Sequence, residues 1–268
     1  MENILGFVAL LAGASACAGV LAGMLGVGGG IVLVPVLHFI FDHAGVSPDI
    51  AMHMAVGTSL TTIVPTSIVS ARSHHGRGAV DFPLLKSFAP FIIMGVAVGS
   101  FLADSLRGQV LSLIFGTVAL LVAIRLAVVR QETVAANRDG AVLKAISGFL
   151  IGCVSALMGI GGGTFSVAVL SKLGYGIHRA VGTSAAIGLL IALPGSIGFM
   201  ITGWSVEGLP PYSVGYVNFL AVLCVIPATM LATPLGVRIA HRMADEKLRI
   251  TFALILGAMA IRMLVTSF

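Results

Sequence analysis

The chain has 268 residues, of which 58% are hydrophobic and only 9% charged, with a formal net charge of +5. Ordinary globular domains are about 45–50% apolar and about 25% charged, so these proportions exclude a water-soluble domain and predict an all-α polytopic membrane protein. The positive balance does not point to nucleic acid, because no basic run or aromatic-interleaved patch accompanies it; in a membrane chain Lys and Arg set orientation.

A membrane-crossing helix needs about 20 apolar residues. Taken in chain order, the apolar stretches predict segments near 4–24, 29–41, 49–71, 82–103, 108–129, 142–159, 162–173, 178–202, 212–235 and 247–266. The first is preceded by Glu2 and by no Lys or Arg, so a cleaved signal peptide is not expected. The second and seventh are too short for a full crossing and read as return arms of helix hairpins. Cys17, Cys153 and Cys224 fall in apolar stretches without metal or disulfide spacing and read as packing residues.

The ten segments form two copies of one unit. Gly26-Val27-Gly28-Gly29-Gly30 returns as Gly159-Ile160-Gly161-Gly162-Gly163, and His53-Met54-Ala55-Val56-Gly57-Thr58-Ser59 as His178-Arg179-Ala180-Val181-Gly182-Thr183-Ser184. Pro90 with Gly99 matches Pro227 with Gly236 at equal spacing, and Ile124-Arg125-Leu126 matches Ile261-Arg262-Met263. Residues 1–129 are read as the first transmembrane repeat and 145–268 as the second. The polar stretch 130–144, with Gln131, Glu132, Asn137, Arg138 and Asp139, is the cytoplasmic linker.

With the N-terminus outside, thirteen of the fifteen Lys and Arg residues fall on the inner side, leaving Arg107 and Arg262 outside. One missed span would move every later loop to the other face and destroy this bias. Both termini are expected outside the cytoplasm. Five segments per repeat make the second repeat run upside down, the inverted-topology architecture of secondary transporters.

A glycine break in a membrane helix is tolerated only where protein or a water-filled cavity surrounds it. Three consecutive glycines weaken a helix by about 1 kcal/mol each, which close packing alone does not require. The helix that starts after such a break presents unpaired N–H groups and the positive end of its dipole, and so attracts anions. Gly28, Gly29, Gly30, Gly161, Gly162 and Gly163 are therefore candidate substrate-binding positions, with Thr58, Ser59, Thr183 and Ser184 as hydroxyl donors from the next segment. The pairs Gly19/Gly23, Gly95/Gly99 and Gly148/Gly152 have the spacing of close helix packing instead. His53 and His178, the histidines related by the repeat, are candidates for substrate contact or proton coupling. His74-His75 beside Arg72 and Arg77 reads as a solvated basic turn; no metal site and no cofactor is expected.

All ten acidic residues fall in loops or at segment ends. Carriers of protons and metal cations keep carboxylates inside their spans, so the expected substrate is an anion. An intramembrane hydrolase is the contrasting reading. It fails because Ser59 and His53 are six residues apart on one helix, facing different sides, and no Gly-x-Ser-Gly run exists. A homodimer is compatible with so compact a bundle.

The Gly-x-Gly-Gly-Gly break, the short helix with Pro35, and the Ala-Val-Gly-Thr-Ser opening of the next span, in duplicate over nearly the whole chain, resemble the TauE/SafE family of bacterial sulfite and organosulfur exporters. The resemblance implies a secondary transporter of the bacterial inner membrane that exports sulfite, a sulfonate or a related oxyanion, the alternative being proton-coupled import of sulfate, thiosulfate or another small anion. One departure is that Pro35 aligns with Ala168, so the two return arms are not equivalent.

Overall fold

The computed structural model describes residues 2–25, 30–76, 78–128, 140–175, 177–243 and 245–266. They form ten helices: α1 (Glu2–Leu25), α2 (Gly30–His43), α3 (Pro48–His75), α4 (Phe82–Ser105), α5 (Gly108–Val128), α6 (Ala141–Met158), α7 (Gly163–Lys172), α8 (Ile177–Thr202), α9 (Phe219–Arg242) and α10 (Asp245–Thr266). The stretches Pro48–His75, Phe82–Ser105, Gly108–Arg125, Ala141–Met158, Arg179–Thr202 and Phe219–Gly236 are each long and apolar enough to cross a membrane. Leu11–Leu21, Gly30–His43 and Ala253–Val265 are shorter apolar pieces. Residues 129–139, which include most of the 130–144 linker, lie outside the described residues, and α6 starts immediately after Gly140.

One predicted boundary needs correction. The predicted ninth segment, 212–235, starts too early: Ser213–Val214 (β1) pairs antiparallel with Val217–Asn218 (β2), and α9 begins only at Phe219. Pro210 and Pro211 offer no N–H to a helix. Gly215 turns the hairpin at φ +55°, where it lies against the Met200 carbonyl, and Asn218 caps α9 by accepting the Ala221 N–H at 2.8 Å.

The bundle is built from helix pairs whose glycines let the backbones touch. α4 lies along α6, and a Cβ on Gly99 would stand only 2.7 Å from the Cys153 carbonyl oxygen. Gly95 faces the Phe149 carbonyl and Gly152 the Ile92 carbonyl still more closely. α1 lies along α9 in the same way, with Gly19 placing a Cβ 2.7 Å from the Thr229 Cα. Gly19, Gly95, Gly99 and Gly152 thus sit at helix contacts of the small-residue kind; the surroundings of Gly23 are outside the described residues. α3 and α8 pack together at the centre, and α5 pairs with α10.

Phe41, Phe88, Phe115 and Phe199 are fully buried between these pairs. Phe101, Leu121, Leu150, Ile201, Leu223 and Leu231 are instead more than half exposed. A rim of large apolar side chains of this extent suits lipid, not water.

Candidate functional site

The second glycine break can be followed atom by atom. α6 ends at Met158, and Gly159 takes the left-handed conformation at φ +63°, its N–H turned back to the Ala156 and Ser155 carbonyls. Ile160, fully buried, donates its N–H to the Ser155 carbonyl at 3.0 Å. Gly162 is again left-handed, at φ +67°, and is the N-cap of α7 with no side chain bonding the first turn. Two left-handed residues within four positions break the helix, and an L side chain at either costs about 1–2 kcal/mol. The first N–H groups of α7, on Gly163, Thr164 and Phe165, have no acceptor further back in their own helix.

Of the first break, Gly28 and Gly29 lie outside the described residues. Gly30 opens α2 and rests on the second break: a Cβ there would lie 2.9 Å from the Gly159 carbonyl oxygen and 3.1 Å from the Ile160 Cα. The start of α2 therefore touches the end of α6, and Gly30 comes together with the Gly159–Gly163 turn.

The duplicated Gly-Thr-Ser phrase has a defined mechanical part. Thr58 Oγ1 accepts the backbone N–H of Asn218 at 3.1 Å, and Asn218 caps α9. Thr183 Oγ1 accepts the backbone N–H of Asp81 at 3.0 Å, and Asp81 caps α4 by accepting the Leu84 N–H at 3.1 Å. Gly57 and Gly182 clear the way for these contacts, lying against the Tyr216 and Ala79 carbonyls. Each threonine thus holds the cap of a helix from the other half of the chain. Asp81 and Asn218 were not singled out from the sequence, yet a signal existed: each stands nine residues before the matched Pro90 and Pro227.

Ser59 donates to the Gly159 carbonyl at 2.8 Å, which ties α3 directly to the second break. Its counterpart Ser184 is 1% exposed, and its hydroxyl has no partner among the described residues. The predicted hydroxyl positions therefore separate, three oxygens engaged by protein groups and one unengaged.

The two ends of the α3–α8 pair carry different polar contacts. Where α3 ends and α8 begins, Arg179 donates to Asp81 Oδ2 at 2.6 Å; with Arg179 mostly exposed, such a pair contributes about 0–1 kcal/mol. At the other end His53 is 3% exposed, with Nδ1 2.9 Å from the Asp49 carbonyl and Nε2 2.9 and 3.1 Å from the Ala103 and Leu106 carbonyls. A neutral imidazole has a single N–H and satisfies acceptors on one side only; the protonated ring satisfies both. The ring stacks on Tyr216 at 4.9 Å. The Tyr216 hydroxyl donates to Asp104 Oδ1 at 3.2 Å; burial first, then the Asp104 charge and this bond, push its pKa up to about 12, so it remains a donor at neutral pH. The side chain of His178 lies outside the described residues.

Ser59 and His53 serve different neighbours, the second break and the α4–α5 turn, and do not form a nucleophile–base pair. The break region offers an uncapped helix start with uncharged donors: from Ser155 to Ser171 the chain has no Asp, Glu, Lys or Arg. That arrangement can hold an anion through hydrogen bonds and the helix dipole.

The model of the sulfite exporter TauE/SafE family matches residues 11–263. A probable membrane transporter protein of Haemophilus influenzae is 33% identical over 258 residues, covering 96% of this chain and 98% of that protein. Another, of Methanocaldococcus jannaschii, is 29% identical, with 92% of this chain and 91% of that protein covered. A third, YunE of Bacillus subtilis, is 27% identical over 89% of this chain and 90% of its own length. No solved structure matches the chain.

Proposed function

Since the chain belongs to the sulfite exporter TauE/SafE family and is a multi-pass membrane transporter, not an enzyme, we propose that it carries a small oxyanion. The preferred substrate is sulfite or a sulfonate, moved outward across the bacterial inner membrane by alternating access. The observation that supports this most is the meeting of Gly30 with the Gly159–Gly163 turn, where an uncapped helix start packs against protein and the chain from Ser155 to Ser171 carries no charged residue. An inside-negative potential favours export of an anion by about 2.3 kcal/mol per charge per 100 mV, so no further energy source is required. His53, with carbonyls on both ring nitrogens, is the position for any proton coupling.

The architecture we propose with it is ten membrane segments in two inverted repeats, residues 1–129 and 145–268, with both termini outside. Its support is reciprocity: Thr58 with Asn218 repeats as Thr183 with Asp81, Gly57 on Tyr216 repeats as Gly182 on Ala79, and Gly19 on Thr229 repeats as Gly152 on Ile92. In each case the two partners come from opposite halves, as a pseudo-twofold axis in the membrane plane demands.

Two measurements test these readings. Vesicles containing the purified protein should release labelled sulfite or a sulfonate at a rate that rises with an inside-negative potential; transport of a cation with none of these anions would overturn the substrate class. Single cysteines near Arg138 should be labelled from the cytoplasm and those near Asp49 and Glu207 from outside. Asp49 and Arg138 on one face would require another span count.

A further inference from the structure

Buried hydroxyls in a folded protein almost always find a partner, because an unmade hydrogen bond in a dry place is costly. Among the described residues seven buried hydroxyls have none, and two of these, on Ser166 and Ser184, belong to the helices that meet at the start of α7. Ser166, fully buried in the first turns of α7, has its Oγ 3.3 Å from where a Cβ on Gly162 would stand, so it points back at the uncapped start of its own helix. Ser184 stands on α8 one helical turn before the residues that cover the same turn. One helical turn on, a Cβ on Gly188 would lie 2.7 Å from the Gly161 carbonyl, and the Ile187 Cγ2 lies 3.4 Å from the Cβ position of Gly162. Both serines are buried to within 1%. By contrast Thr58, Ser59 and Thr183 already hold the Asn218 N–H, the Gly159 carbonyl and the Asp81 N–H.

We propose that Ser166 and Ser184 are the hydroxyl donors of the oxyanion site at the start of α7, whereas Ser59 and the two threonines hold the frame around it. The assignment rests on the oxyanion reading above and makes the site one-sided, because Ser166 aligns with Leu33 in the first repeat and has no hydroxyl counterpart there. The ligand class is a small anion with several acceptor oxygens that can take both hydroxyls and the free N–H groups of the first turn. With no Lys or Arg between Ser155 and Ser171, the donors that this stretch offers the anion are all neutral. That suits a carrier, which has to release its cargo.

The experiment uses the full chain in nanodiscs with sulfite, sulfate and methanesulfonate as probes, reading affinity and the thermal midpoint with and without anion. Ser166→Ala and Ser184→Ala remove an unpartnered hydroxyl, so the anion-free midpoint is expected to stay level or rise. Affinity for the bound probe should nonetheless fall about ten- to hundredfold, the worth of one hydrogen bond to a charged group. Ser59→Ala should do the reverse, lowering the anion-free midpoint and changing affinity by less than about threefold. Wild-type affinity in either serine variant removes that residue from the site, and in both it overturns the proposal. If the wild-type protein binds none of the three anions, the oxyanion reading itself fails, a result distinguishable from failure of the two serines.

Discussion

Gly162→Asp is expected to abolish anion transport while leaving a folded protein. Gly162 is the left-handed N-cap of α7, and the new carboxylate would lie beside the N–H groups that await a substrate. It would accept from those donors itself and would set a negative charge against the incoming anion. With the donors occupied and a like charge facing the anion, the transport rate should drop by about a hundredfold or more. Strain contributes as well, because the position is at φ +67° and packs against the Ile191 side chain. Gly162→Asn separates the two effects: it is close in shape to aspartate, enters the left-handed region more readily than other residues, and carries no charge. Transport near the wild-type level in the aspartate variant would remove the start of α7 from the site. Equal loss in both variants would assign the effect to sterics alone.

Gly152→Val should prevent the protein from accumulating in a well-folded form. The Cβ at this position meets the Ile92 carbonyl and lies 3.0 Å from the Val96 nitrogen, both backbone atoms of α4 that have no rotamer to move into. α4 and α6 would have to separate, undoing the close contacts at Gly95 and Gly99 as well. Overpacking at one site costs about 1–3 kcal/mol, and separation of a whole helix pair exceeds that. Size-exclusion profile and thermal midpoint in detergent are the measurements. Gly13→Val is the comparison, since nothing lies within 4 Å of a Cβ there and the side chain would enter lipid. A wild-type midpoint for Gly152→Val would mean that α4 and α6 do not pack through their glycines.

Helix positions were legible in the sequence because they depend on one strong local quantity. Every backbone polar group in hydrocarbon must be satisfied within its own segment, so long apolar runs become helices, and the predicted segments lie close to α1–α8 and α10. The glycine break at 159–163 was legible for a similar reason, since left-handed backbone at Gly159 and Gly162 needs a residue without Cβ. The turn at 212–218 was not, because its apolar residues have the hydropathy of a helix start while Pro210, Pro211 and Gly215 direct a hairpin.

For the site, the duplication in the sequence by itself drew attention to Gly-Thr-Ser, and tertiary structure alone decided what each hydroxyl does. Thr58 and Thr183 meet caps that are 160 and 102 residues away in the chain, and Ser59 meets a carbonyl 100 residues away. No local pattern encodes partners at such separations. Ser166 was invisible for the opposite reason: a search by repetition passes over a residue whose counterpart is Leu33. Hydropathy along a chain determines which segments enter the membrane, because burial of apolar surface is additive and local. A hydrogen bond is directional and satisfied once, so its assignment waits on which helices the packing brings together.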